Sequence, residues 1–145
     1  MRYVVISYYM YVGFSILSNI LYFFYKDLAE VFLGLSSISF LIFLYVIGLK
    51  IKRELKINVL SIYYIVLSLV IFSFFPLYLT SSIFTYFFSQ TLALLFVLLY
   101  LKLILSVLKS RLSIFNLILF SILTFGIYSY VFFYKLIKEI KKSLT

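Results

Sequence analysis

The chain has no cysteine, no histidine and no tryptophan in 145 residues, one proline, four glycines and only four acidic residues. Each shortage closes off chemistry. Without cysteine there are no disulfides and no thiol nucleophile, and cysteine usage says nothing about the redox compartment. With histidine absent too, the commonest ligands for zinc, copper, haem and iron–sulfur clusters are missing. Met1, Met10 or a tyrosine is formally able to ligate iron, but no motif accompanies any of them, so neither cofactor nor metal is expected. No imidazole base is present for a Ser-His-Asp triad, and the glycines form neither a phosphate-binding loop nor a dinucleotide fingerprint. Acid–base work would fall to Asp27, Glu30, Glu54 and Glu139 alone. The expectation is a protein that is not an enzyme.

Apolar side chains are abundant: 66% of the residues are hydrophobic and 12% are charged, against about 45–50% and about 25% in globular domains. Charges divide the chain into apolar segments of about 3–25, 28–49, 57–101 and 112–134. A spanning helix needs about 20 apolar residues. The third segment, 45 residues, would be about 67 Å as one helix and must fold into two spans. Pro76 and the polar run 80–82 mark its turn. The predicted fold is an all-α, polytopic transmembrane bundle of about five helices in a single domain, 1–145: 3–25, 28–49, 57–78, 84–108 and 113–134, followed by a basic amphipathic tail, 135–145. Strands are not expected, because outer-membrane strands alternate apolar and polar residues and runs such as LALLFVLLYL do not. The first segment exceeds a signal-peptide core and shows no cleavage site before Lys26, so it reads as a retained span.

Tyr8, Tyr11, Ser15, Ser18, Tyr22 and Tyr25 recur at spacings of three and four, which places six hydroxyls on one face of the first helix. Hydroxyls in hydrocarbon gain by bonding to a neighbouring helix, and small serines let backbones approach, so this face is read as a helix-packing surface. Chance clustering in a Tyr- and Ser-rich segment, or a lined pore, are the other readings. Tyr3, Tyr22, Tyr25, Tyr45, Tyr78, Tyr86 and Tyr134 fall near segment ends, where tyrosine suits the membrane–water boundary.

The formal charge is +9. The basic residues cluster at the ends of apolar runs, which points to anionic lipid headgroups, with no nucleic acid partner expected. Lys50, Lys52, Arg53, Lys56, Lys135, Lys138, Lys141 and Lys142 are the expected headgroup or partner contacts. In the tail, Leu136, Ile137, Ile140 and Leu144 share a face, so that tail is expected to lie along a leaflet. Asp27 and Glu30, three residues apart, are read either as a proton or cation site or as solvated acids matching a helix dipole. Lys102, with Ser106 and Lys109 on its face, either follows an inward groove or snorkels to the headgroups. Asp27, Glu30, Gln90 and Lys102 are therefore the candidates for an ion path.

The positive-inside rule orients the chain in the cell membrane with a cytoplasmic N-terminus. With five crossings, Arg2, Lys50, Lys52, Arg53, Lys56, Lys102, Lys109 and Arg111 are inside, and Lys26, Lys135, Lys138, Lys141 and Lys142 are outside. If residues 113–134 instead turn back near Gly126 or lie in the interface, only Lys26 remains outside. The first path is preferred because Ile114 to Tyr134 is a sufficient uncharged span; the second gives four spanning helices plus a re-entrant or interfacial C-terminal segment.

The segment SILTFGIYSYVFFYKLIKEI resembles the T-x-G-I-Y-x-x-Y/W segment of an uncharacterised family of small prokaryotic integral membrane proteins, through Thr124, Gly126, Ile127 and Tyr128. The family's usual tryptophan is absent here. The resemblance implies a small prokaryotic membrane protein and no catalytic activity. The function expected overall is that of an accessory or structural subunit of a larger membrane complex, packing against other subunits or itself; the alternative is a small oligomeric transporter or channel.

Overall fold

The computed structural model describes the backbone of residues 2–79, 83–109, 112–124 and 126–144, and the side chains of these except 72–79, 83–86, 89 and 144. The turn expected at 80–82, Arg111, and the side chains of Pro76, Tyr78 and Tyr86 lie outside the described residues. Among the described residues the chain is all-helical, in six helices: α1 (Arg2–Leu21), α2 (Lys26–Leu55), α3 (Leu60–Leu79), α4 (Ile83–Leu108), α5 (Ile114–Leu123) and α6 (Ile127–Leu144). Arg2–Leu21, Lys26–Leu55 and Gln90–Leu108 are long and apolar enough to cross a membrane, whereas Leu60–Ile71 and Ile114–Leu123 are shorter apolar stretches.

α1 stops at Leu21 and not at Tyr25. Tyr22, Phe23 and Phe24 form a turn in which Tyr25 N–H returns to the Leu21 carbonyl at 2.7 Å, and Tyr25 itself is extended before α2 begins. Asp27 sits in the first turn of α2, where a carboxylate meets the positive end of the helix dipole. α2 then continues well past the expected residue 49, carrying Lys52 and Arg53 in its last turn before Lys56 adopts a left-handed conformation, φ 57°. Helical hydrogen bonding does not stop where the hydrocarbon does, so charge alone misplaced this end.

α1 and α2 pack antiparallel along their length. Ser18 Oγ donates to the Ala29 carbonyl at 2.8 Å, Ser36 Oγ to the Tyr11 carbonyl at 3.1 Å, and the rings of Tyr11 and Phe40 and of Tyr8 and Phe43 meet at 5.0 and 6.0 Å. α3 and α4 form the second hairpin and lean on α2. Tyr63 of α3 and Tyr100 of α4 donate to the α2 carbonyls of Leu41 and Leu44, at 3.0 and 2.7 Å. The helices approach closely at Gly48: a Cβ there would clash with the Tyr100 hydroxyl and lie 2.5 Å from Leu60 Cδ2.

The predicted last span is not one helix. Residues 113–134 divide between α5 and α6 at Gly126, whose φ of +93° suits glycine. α6 runs on through the expected tail as one continuous helix. Its apolar face is covered by protein: Phe132, Phe133, Leu136, Ile137 and Ile140 are buried in the core with Phe43, Leu44, Ile47 and Ile51 of α2. Phe133 packs edge-on against Phe43 and Phe40, at 5.6 and 5.2 Å between centroids. A face with a buried Phe-Phe, Leu-Ile and Ile stripe gains more from dispersion against protein rings than from lying among headgroups.

Candidate functional site: the α5–α6 hairpin and the basic end

Four residues singled out in the sequence build the turn between α5 and α6. Thr124 Oγ1 accepts from the Tyr128 N–H at 3.0 Å and donates to the Phe120 carbonyl at 2.7 Å. Gly126 supplies the left-handed dihedral, and its N–H reaches the Ser121 carbonyl at 2.7 Å. Ile127 opens α6, its N–H meeting the Thr124 carbonyl, and the Tyr128 ring lies 5.1 Å from that of Phe120. Ser129 Oγ donates to the Gly126 carbonyl at 2.6 Å. Breaking a helix frees backbone groups, and here the hydroxyls of Thr124 and Ser129, three or four residues away, bond them. Ser121 Oγ is buried without a hydrogen-bond partner.

α6 docks on the hydroxyl face of α1. Tyr8 donates to the Tyr130 carbonyl at 2.8 Å, Ser15 Oγ and the Tyr130 hydroxyl share a hydrogen bond, and Tyr11 stacks at 5.7 Å from Tyr130. Four of the six residues expected on the packing face, Tyr8, Tyr11, Ser15 and Ser18, therefore do pack. Tyr22 and Tyr25 do not: they are 62% and 67% exposed. The helix ends before them, so the three-four spacing no longer maps onto a face. Tyr130, Tyr63 and Tyr100 were missed as packing hydroxyls; the run Phe132, Phe133, Leu136, Ile137, Ile140 carries the signal that would have extended the tail helix upstream.

These contacts gather the basic residues at one end. Lys138 and Lys141 share a cleft with Arg2, Tyr8, Tyr9 and Tyr134. Lys50 and Arg53, with Glu54, line another beside Tyr3 and Val4. α4 runs parallel to α2, with Tyr100 level with Leu44, so Lys109 lies near the level of Arg53. Lys52 and Lys56 are exposed at the same end of α2, and Lys142 is exposed in the last turn of α6. Lys135 is exposed, with its Nζ 5.9 Å from the centre of the Tyr128 ring. Lys26 is at the opposite end of α2 from this group.

The ion-path candidates are not brought together. Asp27 lies in a cleft with Phe24, Tyr25, Lys26 and Leu28, and Lys102 lies in a different one with Ser106, Lys109 and Ser113. Glu30 is exposed on α2, and Gln90 is half-buried about 18 Å from Lys102 along α4, at 1.5 Å per residue.

No curated protein and no solved structure matches the chain. A family model described as a domain of unknown function, DUF4234, matches residues 112–144, the α5–α6 hairpin whose turn and docking have just been described.

Proposed function

We propose that this chain is a non-enzymatic polytopic membrane protein that serves as an accessory or structural subunit of a larger membrane complex, acting by helix packing and lipid contact. The observation that carries this reading is how the buried hydroxyls are used. Tyr8, Ser18, Ser36, Tyr63 and Tyr100 each donate to a main-chain carbonyl of a neighbouring helix, and none of these bonds leaves a polar row facing a channel. Such bonds fix helix register in hydrocarbon, where the backbone carbonyl has a spare lone pair and no water competes. The outward surface, by contrast, is rich in Leu, Ile, Phe and Tyr, suited to lipid or to another subunit's helices.

The gathering of Arg2, Lys50, Arg53, Lys109, Lys138 and Lys141 at one end supports a cytoplasmic placement for that end. It also supports the path in which α5 and α6 form a re-entrant hairpin. At about 15 Å, α5 reaches only half-way across a hydrocarbon core of about 30 Å.

The functional test is mass measurement of the chain extracted in mild detergent, followed by reconstitution into liposomes. Co-migration with different polypeptides is expected. A closed homo-oligomer that conducts ions would overturn the reading and restore the transporter alternative.

A further inference from the structure

The cleft between α1 and α6 combines basic side chains with an apolar lining. Arg2, Lys138 and Lys141 line it, and among the described residues that line it there is no acid. Its walls are Val5, Ile6 and Ile137. Lys138 Nζ sits 4.7 Å from the centre of the Tyr134 ring, a cation–π contact that holds the ammonium in place. Ile6 and Tyr9, both lining the cleft, are exposed on the outer surface. At about 520 Å³ it lies within the range of about 300–1,000 Å³ found for small-molecule sites.

We propose that this cleft is a binding site for one anionic phospholipid, with the phosphate on Arg2, Lys138 and Lys141 and the upper part of an acyl chain along Val5, Ile6 and Ile137. The occupant is chosen by complementarity at both ends. A planar guanidinium pairs with phosphate oxygens two at a time, and the two lysines add point charge. Basic pockets between membrane helices at the headgroup level are suited to such lipids. A free phosphate would satisfy the cations and leave the apolar walls empty; a zwitterionic lipid would bring its own cation against three others. Because Arg2 belongs to α1 and both lysines to α6, a lipid seated here ties the first helix to the last and stabilises the hairpin against the bundle.

This inference rests on reading the basic end as the headgroup level of a membrane, and its test is separable from that of the subunit role. The full chain, purified in a neutral maltoside detergent, is titrated with dioleoyl phosphatidylglycerol, dioleoyl phosphatidylcholine, glycerophosphoglycerol or inorganic phosphate. The readouts are the thermal unfolding midpoint and lipid retention in native mass spectrometry. Phosphatidylglycerol is expected to raise the midpoint and to remain as a single bound molecule, while the other three do neither. The double variant R2Q/K138Q is expected to weaken binding by about thirtyfold. K52Q/K142Q, with equal charge loss outside the cleft, is expected to bind like the native chain. Ile6→Trp keeps every charge and fills the apolar wall at an exposed position, so it is expected to fold and to lose the lipid. Equal binding of the zwitterionic lipid or of inorganic phosphate overturns the proposal. So does loss in K52Q/K142Q but not in R2Q/K138Q, or unchanged retention in Ile6→Trp. A conducting homo-oligomer would sink the subunit role and leave this result standing.

Discussion

The α1–α2 and α5–α6 hairpins reverse the chain by different means. The first turns through Tyr22, Phe23, Phe24 and Tyr25, all exposed, and Tyr25 caps α2 with no side-chain hydrogen bond. The second turns through Thr124 and Gly126, where hydroxyls of Thr124 and Ser129 bond the backbone and a left-handed glycine makes the bend. A turn at a membrane surface leaves its freed N–H and C=O groups to water and needs only interfacial rings. A turn within hydrocarbon must carry its own donors and acceptors. The self-satisfied second turn is what the proposed re-entrant path requires, and the open first turn is what a surface position allows.

The largest expected effect is all-or-none. The chain has no native cysteine, so single cysteines can be placed at the two ends of the comparison. In sealed, oriented vesicles, Ser143→Cys and Tyr3→Cys should label from one side and Phe23→Cys from the other. Labelling of Ser143→Cys with Phe23→Cys would show that the last segment crosses and that the two hairpins are alike.

Next is packing. Phe133→Ala removes a buried ring shared with Phe40, Phe43 and Tyr11. The loss should be about 3 kcal/mol, toward the low end for such truncations, because lipid and not water receives the ring on unfolding and dispersion is what is forfeited. Phe115→Ala, on the exposed face of α5, should change stability by less than about 0.5 kcal/mol. Equal effects in a denaturant titration would mean that α6 is not docked.

The smallest effects separate two glycines. Gly48→Ala places a methyl against Tyr100 and Leu60, with an overpacking cost of about 1–3 kcal/mol. Gly126→Ala meets nothing within 4 Å and should cost about 1–2 kcal/mol through its positive φ alone. A Tyr100→Phe background, which removes the hydroxyl, should reduce the first cost and leave the second unchanged. A reduced cost at Gly126 in that background would refute a purely backbone origin.

The helical membrane class and the hydroxyl face of α1 were legible in the sequence because hydropathy and three-four spacing are local properties. Tyr8, Tyr11, Ser15 and Ser18 follow directly from that spacing. Tyr22 and Tyr25 fail because spacing does not register where a helix stops. The boundary expected at Tyr134 is not one in the structure, for a related reason: α6 passes through Lys135 with its apolar stripe unbroken. Charge marks where a side chain reaches polar surroundings, and a helix carries both kinds of face at once.

Composition alone determined that this chain is built for lipid and that histidine- and cysteine-based chemistry is closed to it. The break at Gly126 belonged only to the less favoured path in the sequence, since one glycine is tolerated within a membrane helix, and it is the structure that divides the segment there. Only the tertiary structure decided that α6 turns back onto α1 and α2, bringing Lys138 and Lys141 beside Arg2, 136 and 139 positions away in sequence. The Tyr8, Ser15 and Phe133 contacts that hold it there act between residues far apart along the chain, and no periodicity within one segment reports what a distant segment will place opposite it.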